Sequence, residues 1–284
     1  MKQVALTSFL SFCLTIATPS WATDPSACDL RQTGSANLYH MEMSDLLKIG
    51  EFQKLEASME KHFEALLKEG NGDHLFDLTP FLNMTSNPGS QLLSQWKKEM
   101  PDAFFQNYTT GMNLIREVGH VRYGRAANAI DAKDREKISF LQKNAREALA
   151  LAKTANPQRA IVDAALLEID ATDKGPEAIK AQLKQANLAA PKNISARLSA
   201  INYLSPRWGG SFEAMDEIID QAKSEKLPAS HIAYLTMAVE NSKGSHFEVI
   251  EKDKAKAREH YKKAYAICDK SDFAKKGLAR TMGH

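Results

Sequence analysis

The sequence predicts an all-α protein: antiparallel helix pairs stacked in an array, preceded by a more irregular helical region. Three observations carry that expectation. Apolar side chains recur at helical spacing along most of the chain, and the strict alternation that marks strands is nearly absent. After residue 135, one set of small and bulky apolar residues returns four times.

The first 22 residues read as an export leader. Lys2 opens it, Val4 to Ile16 is apolar apart from Thr7, Ser8, Ser11 and Thr15, and Pro19 breaks the run. Ser20-Trp21-Ala22 places small residues at −3 and −1 of a cut after Ala22. The apolar run is too short to span a hydrocarbon core that needs about 20 residues. The expectation is therefore a mature chain, 23–284, in the periplasm or secreted, with no membrane span of its own. Removing Lys2 leaves 36 basic and 35 acidic side chains of the 37 and 35 in the whole sequence. That near balance argues against nucleic acid as a partner. Cys28 and Cys268 survive the cut, and an oxidising compartment makes a bridge between them possible.

An extended leader over 23–43 is expected before the first helix. Residues 44–134 form the irregular helical part. Ser44 suits an N-cap, and Leu47, Phe52, Leu55, Met59, Phe63, Leu66 and Leu67 follow at helical spacing. Gly50 can split this stretch in two, and Gly70-Asn71-Gly72 stops it. Asn87-Pro88-Gly89 marks a turn, Ser90 caps a helix through Trp96, and Pro101 ends it. A further helix runs from about Asp102 to Ile130.

The repeats occupy 135–284. Ala145, Leu149, Ala152 and Pro157 stand at offsets 0, 4, 7 and 12, and Ile179, Leu183, Ala186 and Pro191 repeat them 34 residues on. Met215, Ile219 and Ala222 follow 36 later, with Pro228 one residue late. Ala257, Tyr261 and Ala264 come 42 later, without the proline and after a charged insertion, Lys243 to Asp253, that reads as an exposed loop. Small residues let one helix approach another, the bulky one fills the gap, and proline cannot donate the next hydrogen bond. The pattern resembles the second helix of the tetratricopeptide repeat, which implies first helices over 160–169, 194–204 and 230–239.

Residues 203 to 211, Tyr203-Leu204-Ser205-Pro206-Arg207-Trp208-Gly209-Gly210-Ser211, interrupt one pair where a short turn would suffice. The run Pro206 to Ser211 with Phe212-Glu213-Ala214-Met215 resembles a bacterial domain family of unknown function with a tetratricopeptide-like fold. That likeness extends over roughly 45 to 240. It includes an aromatic helix from Tyr108 to Tyr123-Gly124-Arg125, where Gly and Arg stand in reversed order. Two roles fit the loop. Trp208 can wedge neighbouring helices apart, or Arg207 and Trp208 can form a ligand surface, both types being enriched where binding energy concentrates.

A nucleotide-binding glycine loop, a nucleophile elbow and a paired-cysteine zinc site are all missing from the sequence, and no catalytic residue, metal or cofactor is assigned. The polar helix 113–128 offers Arg116, His120, Arg122, Tyr123, Arg125 and Asn128, either as the wall of a groove for an anionic group or as a solvated face. With Tyr203, Arg207 and Trp208 these are the candidate binding residues. Two functions compete. One is a periplasmic module that grips an unidentified protein or peptide. The other is an enzyme or small-ligand binder with a polar pocket near His120, Arg122, Arg125 and Arg207-Trp208.

Overall fold

A computed structural model describes residues 36–68, 89–122 and 130–282 of the chain. Within them the protein is all helical, with twelve α-helices, one 3₁₀ turn and no strand among the described residues. The irregular region gives α1 (Ala36–Lys48), α2 (Phe52–Lys68), α3 (Gly89–Glu99) and α4 (Phe104–Arg122). Then come α5 (Ala132–Ala155), α6 (Ala160–Asp173), α7 (Pro176–Ala189), α8 (Ser195–Tyr203), the 3₁₀ turn (Pro206–Trp208) and α9 (Phe212–Ser224). The chain ends with α10 (Ala229–Val249), α11 (Lys254–Ile267) and α12 (Asp272–Thr281). The export leader, Cys28 and the turns expected at 70–72 and 87–88 lie outside the described residues.

Contacts follow a regular rule. Four helices, α4, α6, α8 and α10, each pack on the helix that follows them (α5, α7, α9 and α11) and on the next helix of their own kind. Each following helix also touches the start of the next pair, and α12 closes the series against α10 and α11. All twelve apolar residues of the recurring set are buried: Ala145, Leu149 and Ala152 on α5, Ile179, Leu183 and Ala186 on α7, Met215, Ile219 and Ala222 on α9, and Ala257, Tyr261 and Ala264 on α11.

The ends of these helices share one geometry. Asn156, Ala190 and Cys268 leave the helix in extended backbone, and each donates its N–H to the carbonyl of the last small residue, Ala152, Ala186 or Ala264. Pro157 and Pro191 come next and keep the preceding residue out of the helical region. The third copy departs because Lys226 takes φ +57°, with Leu227 N–H bonded to the Ala222 carbonyl. This left-handed closure adds one residue, and so Pro228 arrives late.

The core does not divide at 134/135. One cluster joins Met43, Trp96 and Phe105 to Ala145, Leu149 and Val162, and a second runs from Leu167 to Ala274. The first pair is therefore α4 with α5, and α4 belongs with the repeats. Leu149 explains the register, because a Cβ on Gly111 of α4 would stand 2.7 Å from its side chain. Tyr261, at the same offset, lies against Gly244 of α10 and Gly277 of α12, where added Cβ atoms would meet its ring at 2.7 and 2.6 Å.

Three other expectations change. The extended leader gives way to α1, which starts at Ala36, so Ser44 is an interior residue. Neither glycine nor proline stands between Ala36 and Lys48 to interrupt it, while Gly50 at φ +76° does separate α1 from α2. The Lys243–Asp253 insertion is mostly helix, because α10 continues to Val249. Its residues have partners to pack on: His246 and Phe247 lie 5.2 and 5.5 Å from the Phe212 ring, and Lys243 pairs with Asp216 at 2.7 Å.

The α4 N-terminus is held from outside its own helix. Glu56 on α2 accepts from the backbone N–H of Phe105 and Gln106, at 3.2 and 2.8 Å. Burial pushes its carboxyl up from 4.5 to about 7, against the downward pull of those two donors.

Two outcomes follow from this packing. Alanine at Gly111 or Gly244 gains about 1 kcal/mol in helix propensity but overpacks at a cost of about 1–3 kcal/mol. Urea unfolding of both variants should therefore show net loss of stability, whereas Gly119→Ala, with nothing within 4 Å of its added Cβ, should gain. For Glu56 the folded state holds its proton more tightly than the unfolded chain. Its contribution is complete below about 4.5 and is lost as pH rises through about 7. Melting temperatures of the wild type should fall across that window by more than those of Glu56→Gln, with a limiting slope of about 1.4 kcal/mol per pH unit.

Candidate functional site: the Trp208 loop and its groove

The loop between α8 and α9 is built on backbone bonds. Trp208 and Gly210 both donate to the Ser205 carbonyl, at 2.9 and 3.2 Å, and Gly209 donates to Pro206 at 3.1 Å. Gly209 sits at φ +86°, a region open to glycine at little cost. Gly210 is required for a different reason, since a Cβ there would stand 2.0 Å from the Leu204 carbonyl oxygen. Ser211 then caps α9 by accepting from the Ala214 N–H at 3.1 Å. The sequence Pro-Arg-Trp-Gly-Gly-Ser thus encodes a tight reversal that presents one indole and one guanidinium.

That indole is surrounded. Tyr203 meets it edge-on with ring centroids 5.4 Å apart. The Arg122 guanidinium, from the C-terminal end of α4, lies 5.6 Å from the ring centroid, and that of Arg207 lies 5.8 Å away. Contacts of this kind contribute about 0.5–2 kcal/mol each, more where water is excluded. Behind them, the Tyr203 hydroxyl donates to Glu168 on α6. Burial raises the Glu168 carboxyl, and burial together with the Glu168 charge pushes the Tyr203 phenol up. Four of the candidate residues, Arg122, Tyr203, Arg207 and Trp208, therefore converge from three segments of the chain. Glu168 was not foreseen, because a lone acid within a helical stripe carries no sequence signal.

Other candidates separate from this cluster. His120 is exposed and faces Glu117 at 3.6 Å. Arg116 lies four residues before it on the same face of α4, whereas Arg122 is rotated about 200° from His120 by the helical period. Of the described α4 candidates, Arg122 is the one placed over the Trp208 ring. Tyr123, Arg125 and Asn128 lie outside the described residues.

Beside the loop runs a half-open groove of about 580 Å³, bounded by α8, α10, the 3₁₀ turn and Phe273 of α12. Trp208 and the exposed Arg207 form one end, and Tyr234 and Met237 line it along α10. Its polar lining consists of amides, hydroxyls, His246 and Arg207, with no carboxylate. Two buried atoms on this wall, Asn241 Oδ1 and His246 Nδ1, have no hydrogen-bond partner among the described residues. His246 Nε2 lies 3.2 Å from a Glu251 carboxylate oxygen. Two buried polar atoms on residues that line the groove are thus without partners among the described residues, and such atoms are uncommon in native proteins.

No group of three or more His, Cys, Asp or Glu side chains among the described residues is arranged to hold a metal ion. No helix among the described residues is long and apolar enough to cross a membrane. Residues 164–238 match a family described as a domain of unknown function (DUF4034). The matched stretch runs from α6 into α10 and contains the whole Trp208 loop. No curated protein matches the chain.

Proposed function

We propose that the chain is an exported helical-repeat protein of tetratricopeptide-like architecture. It works in the periplasm as a binding module for an extended peptide segment of a partner protein. The observation that carries this reading is the pair of buried polar atoms, Asn241 Oδ1 and His246 Nδ1, left without hydrogen-bond partners among the described residues on side chains that line the groove. A peptide backbone supplies N–H donors at short intervals, while Trp208, Tyr234 and Met237 suit its apolar side chains. Arg207 at the rim suits an acidic side chain or a terminal carboxylate, and no carboxylate in the lining opposes one.

The tetratricopeptide-like reading draws support from the contact rule and from the burial of the recurring residues. Export is supported by the layout of residues 1–22. It is also supported by Cys268, which is disulfide-bonded. The chain has two other cysteines, and a cut after Ala22 removes Cys13, so the proposed partner in the mature protein is Cys28.

Binding can be measured by titrating the mature protein with a peptide library containing apolar and acidic residues, then repeating the titration with Asn241→Leu and His246→Leu. Each variant should weaken the best peptides about tenfold or more, and backbone N-methylation of those peptides should do the same. Undiminished binding to both variants, or indifference to N-methylation, would refute the groove as a peptide site. Compartment is tested independently: the full chain should fractionate with periplasmic markers, and non-reducing peptide mapping should recover Cys28 joined to Cys268. A cytoplasmic protein with a free Cys268 thiol contradicts export.

A further inference from the structure

Sharing no lining residue with the Trp208 groove, a cavity of about 730 Å³ lies between the end of α2 and the starts of α6, α8 and α10. It is assembled from equivalent corners of successive helix pairs: Asn156 to Ala160, Ala189 to Asn193, and Pro228 with His231. Of the helices that begin here, α6 and α10 have Arg159 and Pro228 as N-caps, neither of which forms a side-chain cap bond, while Asn193 Oδ1 accepts from the Ala196 N–H at the start of α8. By contrast Asp131, Ser211, Asp253 and Ser271 cap α5, α9, α11 and α12 in the ordinary way. Uncapped N-termini favour negative charge, though they are no site by themselves.

Arg159 supplies the second observation. It is 5% exposed and lines the cavity, with its guanidinium carbon 4.3 to 4.9 Å from the rings of Phe104, Phe63 and Phe105. One terminal nitrogen, Nη2, bonds Glu60 and stands 3.8 Å from Glu64. The other, Nη1, is buried and has no hydrogen-bond partner among the described residues. The two glutamates are 47% and 61% exposed, so water screens them, whereas the guanidinium is locked among aromatic rings. Lys192 and the exposed Glu64 also line the cavity, one charge of each sign, and Phe63, Pro191 and Pro228 give apolar walls.

We propose that this cavity binds a small ligand carrying an oxyanion, a carboxylate or a phosphate group. The anion accepts from Arg159 Nη1, and the apolar body rests against Phe63, Pro191 and Pro228. The volume suits a small molecule. The site is separate from the peptide groove, and neither proposal depends on the other.

The test uses the mature protein and two probes, benzoate for a carboxylate on an apolar body and inorganic phosphate for the bare headgroup, followed by calorimetry and thermal shift. Saturable binding of either supports the site and identifies the chemistry of its anion. Arg159→Gln should weaken that binding about ten- to a hundredfold, the usual worth of a charge-assisted hydrogen bond. Because Arg159 is buried among three rings, its replacement can also harm folding. A second variant, Ala189→Trp, places bulk at an exposed position on the cavity wall and should abolish binding without loss of melting temperature. Arg207→Ala, in the groove, should bind as the wild type does. Failure of both probes to bind the wild type overturns the proposal, as does unchanged binding in Ala189→Trp.

Discussion

The seating of a bulky residue from one helix on a glycine of its partner sets the spacing inside two of the four helix pairs, and much of the remaining structure follows from it. Leu149 rests on Gly111 and Tyr261 on Gly244, at the same offset of the recurring set. Close approach of the backbones lets small residues on either side of the bulky one go fully buried, as Ala145, Ala152, Ala257 and Ala264 do. A close-packed interior gives little at such points, so a single methyl group there is felt. Once α4 and α5 are fixed this way, Arg122 at the end of α4 is carried to the Trp208 indole.

The Trp208 loop packs against its neighbours and also borders the groove. Its indole is a packing element, held by Tyr203, Arg122 and Arg207, and it is also one end of the groove. These roles support each other, because a groove wall fixed by neighbouring rings and cations loses little side-chain entropy when something binds. Glu168 underlies the arrangement. The hydrogen bond from Tyr203 orients the phenol, and burial raises the acid.

Much of the fold is legible in the sequence, for reasons visible in single residues. Leu149, Leu183, Ile219 and Tyr261 announce themselves because burial demands the same shape at each return. The fate of Lys243 to Val249 is hidden, since its charges suggest a solvated loop while its helix depends on Phe212 and Asp216, which are distant in sequence. The α1 start is hidden for a similar reason: Ser44 has the chemistry of a cap, and only the buried neighbours Met43 and Leu47 show that the helix passes through it. In the site, the loop signature points to Arg207 and Trp208, but the partnership with Arg122 requires the helices to be in place. Glu168, Asn241 and Arg159 carry no pattern at all; what distinguishes them is an environment, and an environment is a property of the folded chain.

At the far end of the molecule, Glu248 of α10 takes two hydrogen bonds from Arg280 of α12 and one from Tyr261 of α11. Linear helical assemblies tend to fray from their termini, one element at a time. Here a single carboxylate ties three successive helices together, and the Tyr261 ring fills the space between two of them. The terminal helix therefore cannot peel off alone without stranding a charge and opening a void, and the last three helices should come apart as one cooperative unit.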